Sequence, residues 1–171
     1  MNTENMEIDS MNNGGPDSGA QQLELFKTRV LAEIPLTSHM GFQQFRYDKE
    51  SLCIDAILEP NHNDKGTAFA GSLSATANLC GWGLVTLLLE ELDDDYDVVI
   101  RDSRLEYFLP VTQDFTVRAE FSDTNSINPF IEKIRTKGKG RMDVVVKVEE
   151  SGELCFRLTG AYVALKKKKW L

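Results

Sequence analysis

Histidine, cysteine and basic charge are all scarce in this chain of 171 residues, and each shortage removes a class of function. The two histidines, His39 and His62, are too far apart in sequence for a short metal-ligand motif, and Cys53, Cys80 and Cys155 form no C-x-x-C pair. A zinc or other metal site is therefore not expected, and the thiols, set in apolar segments, are expected to be buried and unpaired. Acidic residues outnumber basic ones by 27 to 19, for a formal net charge of −8. That balance argues against a partner made of nucleic acid or anionic membrane, both of which are gripped by positive surface. No apolar run reaches the roughly 18 residues expected of a membrane span, and the polar N-terminus lacks the basic-then-apolar order of a secretory signal. A cytoplasmic chain with no membrane segment is the expectation, and no internal repeat is present.

What the chain does contain is organised around residues 60–91, PNHNDKGTAFAGSLSATANLCGWGLVTLLLEE. Turn and cap residue types run from Asn61 to Gly66. After Thr67, the spacing of Leu73, Ala77, Cys80, Leu84, Leu87 and Leu88 predicts one apolar face of a helix beginning near Gly71 or Ser72. Its remaining positions are unusually small, including Gly81 and Gly83, each glycine costing about 1 kcal/mol of helix propensity. Such a helix is one that other backbone approaches closely.

The flanks read as strands. Residues 41–47 and 52–58 alternate as a hairpin, and 98–109, 114–121, 141–149 and 154–165 follow, with Pro129 bending the chain before Ile131–Arg135. Leu23, Phe26, Val30, Leu31 and Ile34 share one face of a short helix from Gln21 that Pro35 ends. Residues 1–20 are polar and Gly-rich and read as unstructured, 21–165 as one domain, and 166–171 (KKKKWL) as a solvated basic tail. The acidic run from Glu90 to Asp97 solvates the exit of the long helix.

One long apolar helix among five or six antiparallel strands is an α+β arrangement, and NDKGTAFAGSL resembles the N-x-x-G-T-x-[HF]-[GA]-G turn of hotdog-fold acyl-CoA thioesterases. It is most similar to the thioesterase-type domain named after the C-terminal half of YiiD, with further likeness in GWG, IRDSRLEYFLPV and TKGKGR, over about residues 30–165. The resemblance implies a hotdog fold, a curved sheet wrapped around the central helix, and a homodimer, with dimer and tetramer both left open by the sequence. It also implies an acyl-CoA or similar thioester as substrate and no cofactor.

Thioester hydrolysis needs donors for the oxyanion, a positioned water and a grip on the carrier. Free N–H groups at a helix start supply donors, and the resemblance assigns that role to Ala70 and Gly71. It assigns Asn63 to orienting water or the thioester oxygen, although an asparagine in a turn equally serves the turn itself. Where better-characterised relatives carry a carboxylate, this chain has Asn78, two helical turns beyond Gly71 and about 10 Å along the axis, within reach only of a partner's helix start. Strand alternation places Asp102, Arg104 and Glu106 on one face, so Asp102 or Glu106 is a substitute base or else part of a charge ladder; His62 adjoins the loop. Lys133, Arg135, Lys137, Lys139 and Arg141 gather positive charge in an acidic protein, a candidate grip for carrier phosphates to which Lys65 can add. Phe69 and Trp82 are candidate walls for an acyl group. Hydrolysis is the leading reading. A module that binds a CoA thioester without turning it over is the alternative, and a dehydratase lacks its His and carboxylate pair.

Overall fold

The computed structural model describes residues 16–92 and 94–167, with side chains from residue 19 onward. The chain runs α1 (Pro16–Glu33), β1 (Phe42–Tyr47), β2 (Ser51–Ala56), α2 (Ala70–Glu90), β3 (Tyr96–Tyr107), β4 (Phe115–Phe121), α3 (Ile127–Lys137), β5 (Lys139–Glu150) and β6 (Glu153–Lys166). All strand pairings are antiparallel in one sheet ordered β1-β2-β4-β5-β6-β3, which leaves β1 and β3 as its edges. The curved sheet around a central helix is the hotdog architecture.

Alternation builds the core. Val117, Val148 and Phe156 are neighbours across β4, β5 and β6, as are Ala119, Val146 and Leu158, and all six are fully buried. They face α2, whose Leu73, Ala77, Cys80, Leu84, Leu87 and Leu88 are buried as the helical spacing predicts. Each large apolar side chain so buried contributes about 1.5–3 kcal/mol. By length and composition alone α2 could cross a membrane, but 67% of its apolar window is covered within this fold. The small residues of GWG admit the sheet: a Cβ on Gly81 would sit 2.2 Å from the Tyr162 hydroxyl, and one on Gly83 2.8 Å from Leu52 and 2.9 Å from Phe26.

Three differences from the sequence reading follow. The first helix begins at Pro16 rather than Gln21, and residues 1–15 and 168–171, read as unstructured segment and basic tail, lie outside the described residues. The segment after Pro129 is helical, not extended. Ile127, Phe130, Ile131 and Ile134 repeat at helical spacing, Pro129 sits in the first turn where no N–H is needed, and Gly138 ends the helix at φ 65°. Lastly, β3 carries an irregularity between Ile100 and Asp102, where Arg101 has no partner on β6.

Candidate functional site

The loop before α2 is held from below by Asn61. Its buried side-chain amide donates to the carbonyls of Met40 and Ile57, both at 2.8 Å, while its backbone carbonyl accepts from Phe69 N–H at 2.7 Å. Above it, Asn63 organises the turn: Oδ1 accepts from Lys65 N–H and Thr67 N–H at 2.8 and 3.2 Å, and Nδ2 donates to Thr67 Oγ1 at 3.0 Å. Asn63 thus serves the turn and keeps one amide proton without a partner among the described residues. Asp114 fixes the approach from the other side by accepting from Leu58 N–H at 2.8 Å.

Phe69 N–H is used and Leu73 N–H bonds Phe69 C=O at 3.0 Å, whereas no side chain caps the helix. The N–H groups of Ala70, Gly71 and Ser72 have no acceptor among the described residues, at the end where the helix dipole is positive. Ala70 and Gly71 are solvent-exposed. The Phe69 ring folds over Gly71, where a Cβ would meet it at 2.2 Å. A cleft of about 290 Å³ opens beside this tip, lined by Asn63, Ala70 and Leu73 on one side and Tyr107 to Val111 on the other. Tyr107, which the sequence reading did not single out, donates its hydroxyl to Ala70 C=O at 3.3 Å and packs on Phe156.

Asn78 lies elsewhere. Its Nδ2 donates to Ser74 C=O at 2.8 Å, and its Oδ1 has no partner among the described residues. It borders an apolar groove of about 470 Å³ between α2, the turn after α1 and the β3 edge. The groove and the cleft share no lining residue, so one chain does not bring Asn78 to the Ala70–Gly71 amides. Trp82 lines the groove, its indole N–H bonded to Val98 C=O at 3.0 Å and its ring stacked on Phe26. Phe69 is 53% exposed at the helix tip.

The acidic candidates of β3 sit apart from all this. Leu105 and Tyr107 pair with the core residues Leu158 and Phe156 and share their face, which turns Asp102, Arg104 and Glu106 to the opposite face, away from α2. Asp102 lies 3.7 Å from Arg101 there and is exposed. Glu106 is held below the usual carboxylate range, chiefly by the hydrogen bond from Arg157 at 2.8 Å, with Arg104 adding to it. His62 is exposed, its ring bonded to Glu59 C=O.

The basic cluster does converge. Lys133 and Lys137 of α3, with Lys139 and Arg141 of β5, line a cleft of about 480 Å³, and Arg101 joins them from β3. Lys133, Lys137 and Lys139 have no acidic partner among the described residues, whereas Arg141 bonds Asp143. Lys65 is outside the cleft and pairs with Asp64 at 3.0 Å. No group of three or more His, Cys, Asp or Glu suited to a metal ion occurs among the described residues.

Residues 23–166 match the family model described as "Putative thioesterase (yiiD_Cterm)". Solved structures agree in shape. A Chlorobaculum tepidum protein of unknown function superposes at TM-score 0.79 with 27% identity, over 86% of this chain and 96% of that one. A "putative thioesterase from Shewanella oneidensis" gives 0.76 and 29%, over 85% and 99%. A Haemophilus influenzae thioesterase gives 0.62 at 16% identity, over 84% and 90%, a likeness of fold alone.

Proposed function

The chain belongs to the "Putative thioesterase (yiiD_Cterm)" family, and from that premise we propose that it hydrolyses an acyl-CoA thioester by attack of a positioned water. One observation carries the reading: the start of α2 has unpaired amides and stands beside a cleft that Ala70 lines. The Ala70 and Gly71 N–H groups accept the charge that builds on the carbonyl oxygen as it becomes tetrahedral, and the remaining Asn63 amide proton adds a donor. Collapse then breaks the C–S bond, the expelled carrier thiolate takes up the proton lost by the attacking water, and the acid is released.

The water is placed by a second copy. Strand β3 is an uncovered edge on which Val99, Ile100, Leu105 and Tyr107 are 37–50% exposed. A copy seated there lays its α2 beside the first in the opposite direction, so that its Asn78 Oδ1 accepts from a water facing the first copy's amides. The basic cleft of Lys133, Lys137, Lys139, Arg141 and Arg101 holds the carrier's phosphates.

A second reading, recognition of the thioester without turnover, is favoured by one fact. Neither the cleft nor the groove is lined by a carboxylate or imidazole that can act as general base. Free-thiol release from short, medium, aryl and hydroxyacyl CoA thioesters separates the two. Hydrolysis predicts turnover that falls about 100-fold in Asn78→Ala and is retained or raised in Asn78→Asp, which installs a base. CoA thioester binding with no release on any substrate replaces hydrolysis by recognition.

A further inference from the structure

Two cavities flank Trp82, and they differ in character. On one side is the apolar groove, walled by Ile34, Leu36, Met40 and Leu79, in which Asn78 offers the one uncommitted polar side-chain atom. The other polar residue there, Thr37, spends its hydroxyl on the Val30 and Ile34 carbonyls. On the far side lies a cleft of about 410 Å³ rich in charge, with Arg29, Glu33, Glu90 and Asp97 among its lining. Trp82 and Val98 are the two residues common to both linings, and the indole N–H to Val98 C=O bond joins them. Stacking on Phe26 fixes the ring in place. The partition between the apolar and the polar space is therefore the held Trp82 ring with Val98 beside it.

We infer that Trp82 is a specificity-determining residue that sets the length of acyl chain the site accepts, a straight aliphatic chain of short to medium length. The inference rests on the thioester reading above, with the acyl chain running along α2 from Asn78. Trp82 follows Asn78 by one helical turn, about 6 Å, which spans roughly five methylene groups. A longer chain must displace the indole or push methylenes into the charged cleft, where their burial gains little and the carboxylates lose water. Branched or aromatic acyl groups meet the same wall earlier.

The test compares wild type, Trp82→Ala and Trp82→Tyr on straight-chain acyl-CoA thioesters from acetyl to palmitoyl, reading kcat/KM for each. In parallel, calorimetry reads Kd for the matching non-hydrolysable thioethers. Wild type and Trp82→Tyr are expected to fall at least about tenfold beyond medium length, as expected for methylenes deprived of an apolar site. In Trp82→Ala the optimum moves to longer chains in both readouts. Trp82→Leu, which keeps apolar contact with Phe26, reads the same shift if the alanine variant does not fold. Identical length profiles in wild type and the opened variants overturn the inference. A wild type that binds thioethers with the expected length limit but releases no thiol refutes hydrolysis and leaves the length limit standing.

Discussion

At one free edge of the sheet, β1 is six residues long, carries Gln43, Gln44 and Arg46, and loses register with β2 between Phe42 and Phe45. Helix α1 reaches it through Lys27, whose ammonium donates to Gln43 C=O at 2.7 Å. At the other edge, β3 is twelve residues long and presents aliphatic and aromatic side chains to solvent. Short length, charge, irregular register and cover are the usual devices that keep a strand edge from pairing with another chain. β1 combines them, whereas β3, although it has a bulge and carries Asp102, Arg104 and Glu106 on one face, is twice as long and exposes Val99, Ile100, Leu105 and Tyr107. The difference is the ground on which β3 is proposed as the edge that a second copy covers, and the same strand supplies Tyr107 at the helix tip and Arg101 at the basic cleft.

A charge on each edge breaks the comparison most directly. Ile100→Lys is expected to reduce the mass measured by sedimentation to that of one chain and to lower kcat/KM about 100-fold, as misplacement of a water-positioning group does. Gln44→Lys on β1 is expected to change neither. Equal effects at the two edges would remove the partner from the site. A smaller effect sharpens the role of β3 itself: Arg101→Glu leaves mass unchanged and raises KM for acyl-CoA about tenfold with kcat nearly constant, the size expected on losing one charge-assisted phosphate contact.

The smallest effect belongs to the β1 side and touches stability alone. Arg46 donates to Asp55 through both terminal nitrogens, one at 2.8 Å, and this bond chiefly holds Asp55 below its ordinary value of 3.8, with Thr116 assisting. A depressed carboxyl stabilises the fold fully above its unfolded value and loses that contribution as pH falls through the folded one. Asp55→Asn should therefore lower the melting temperature by a few degrees at neutral pH, with the gap to wild type closing below pH 3.8, and leave thiol release unaffected.

Much of this was legible in sequence because it is periodic. The buried face of α2 and the alternation of β4, β5 and β6 follow from spacings of 3.6 and 2. The helical spacing of Ile127, Phe130, Ile131 and Ile134 was equally present, but Pro129 masks it unless the first turn's spare N–H groups are considered. The site was legible only where it is local. The Ala70–Gly71 tip could be read from its motif. That Asn63 spends most of its side chain on its own turn, and that Arg101 falls opposite no residue of β6 and lines the same cleft as Arg141, depends on hydrogen bonding and register set by distant strands. Tyr107 was hidden for the same reason, since its partner Ala70 lies 37 residues away.

The missing methyl at position 81 has a consequence for how this sequence can change. The Tyr162 phenol occupies that space and donates to the Asn78 carbonyl at 3.3 Å, so a chiral residue at 81 would evict the phenol and orphan a buried hydroxyl. Positions 81 and 162 can then drift only in concert, as a single heritable unit, and the backbone of Asn78 at the groove's border is tied to a tyrosine 84 residues away.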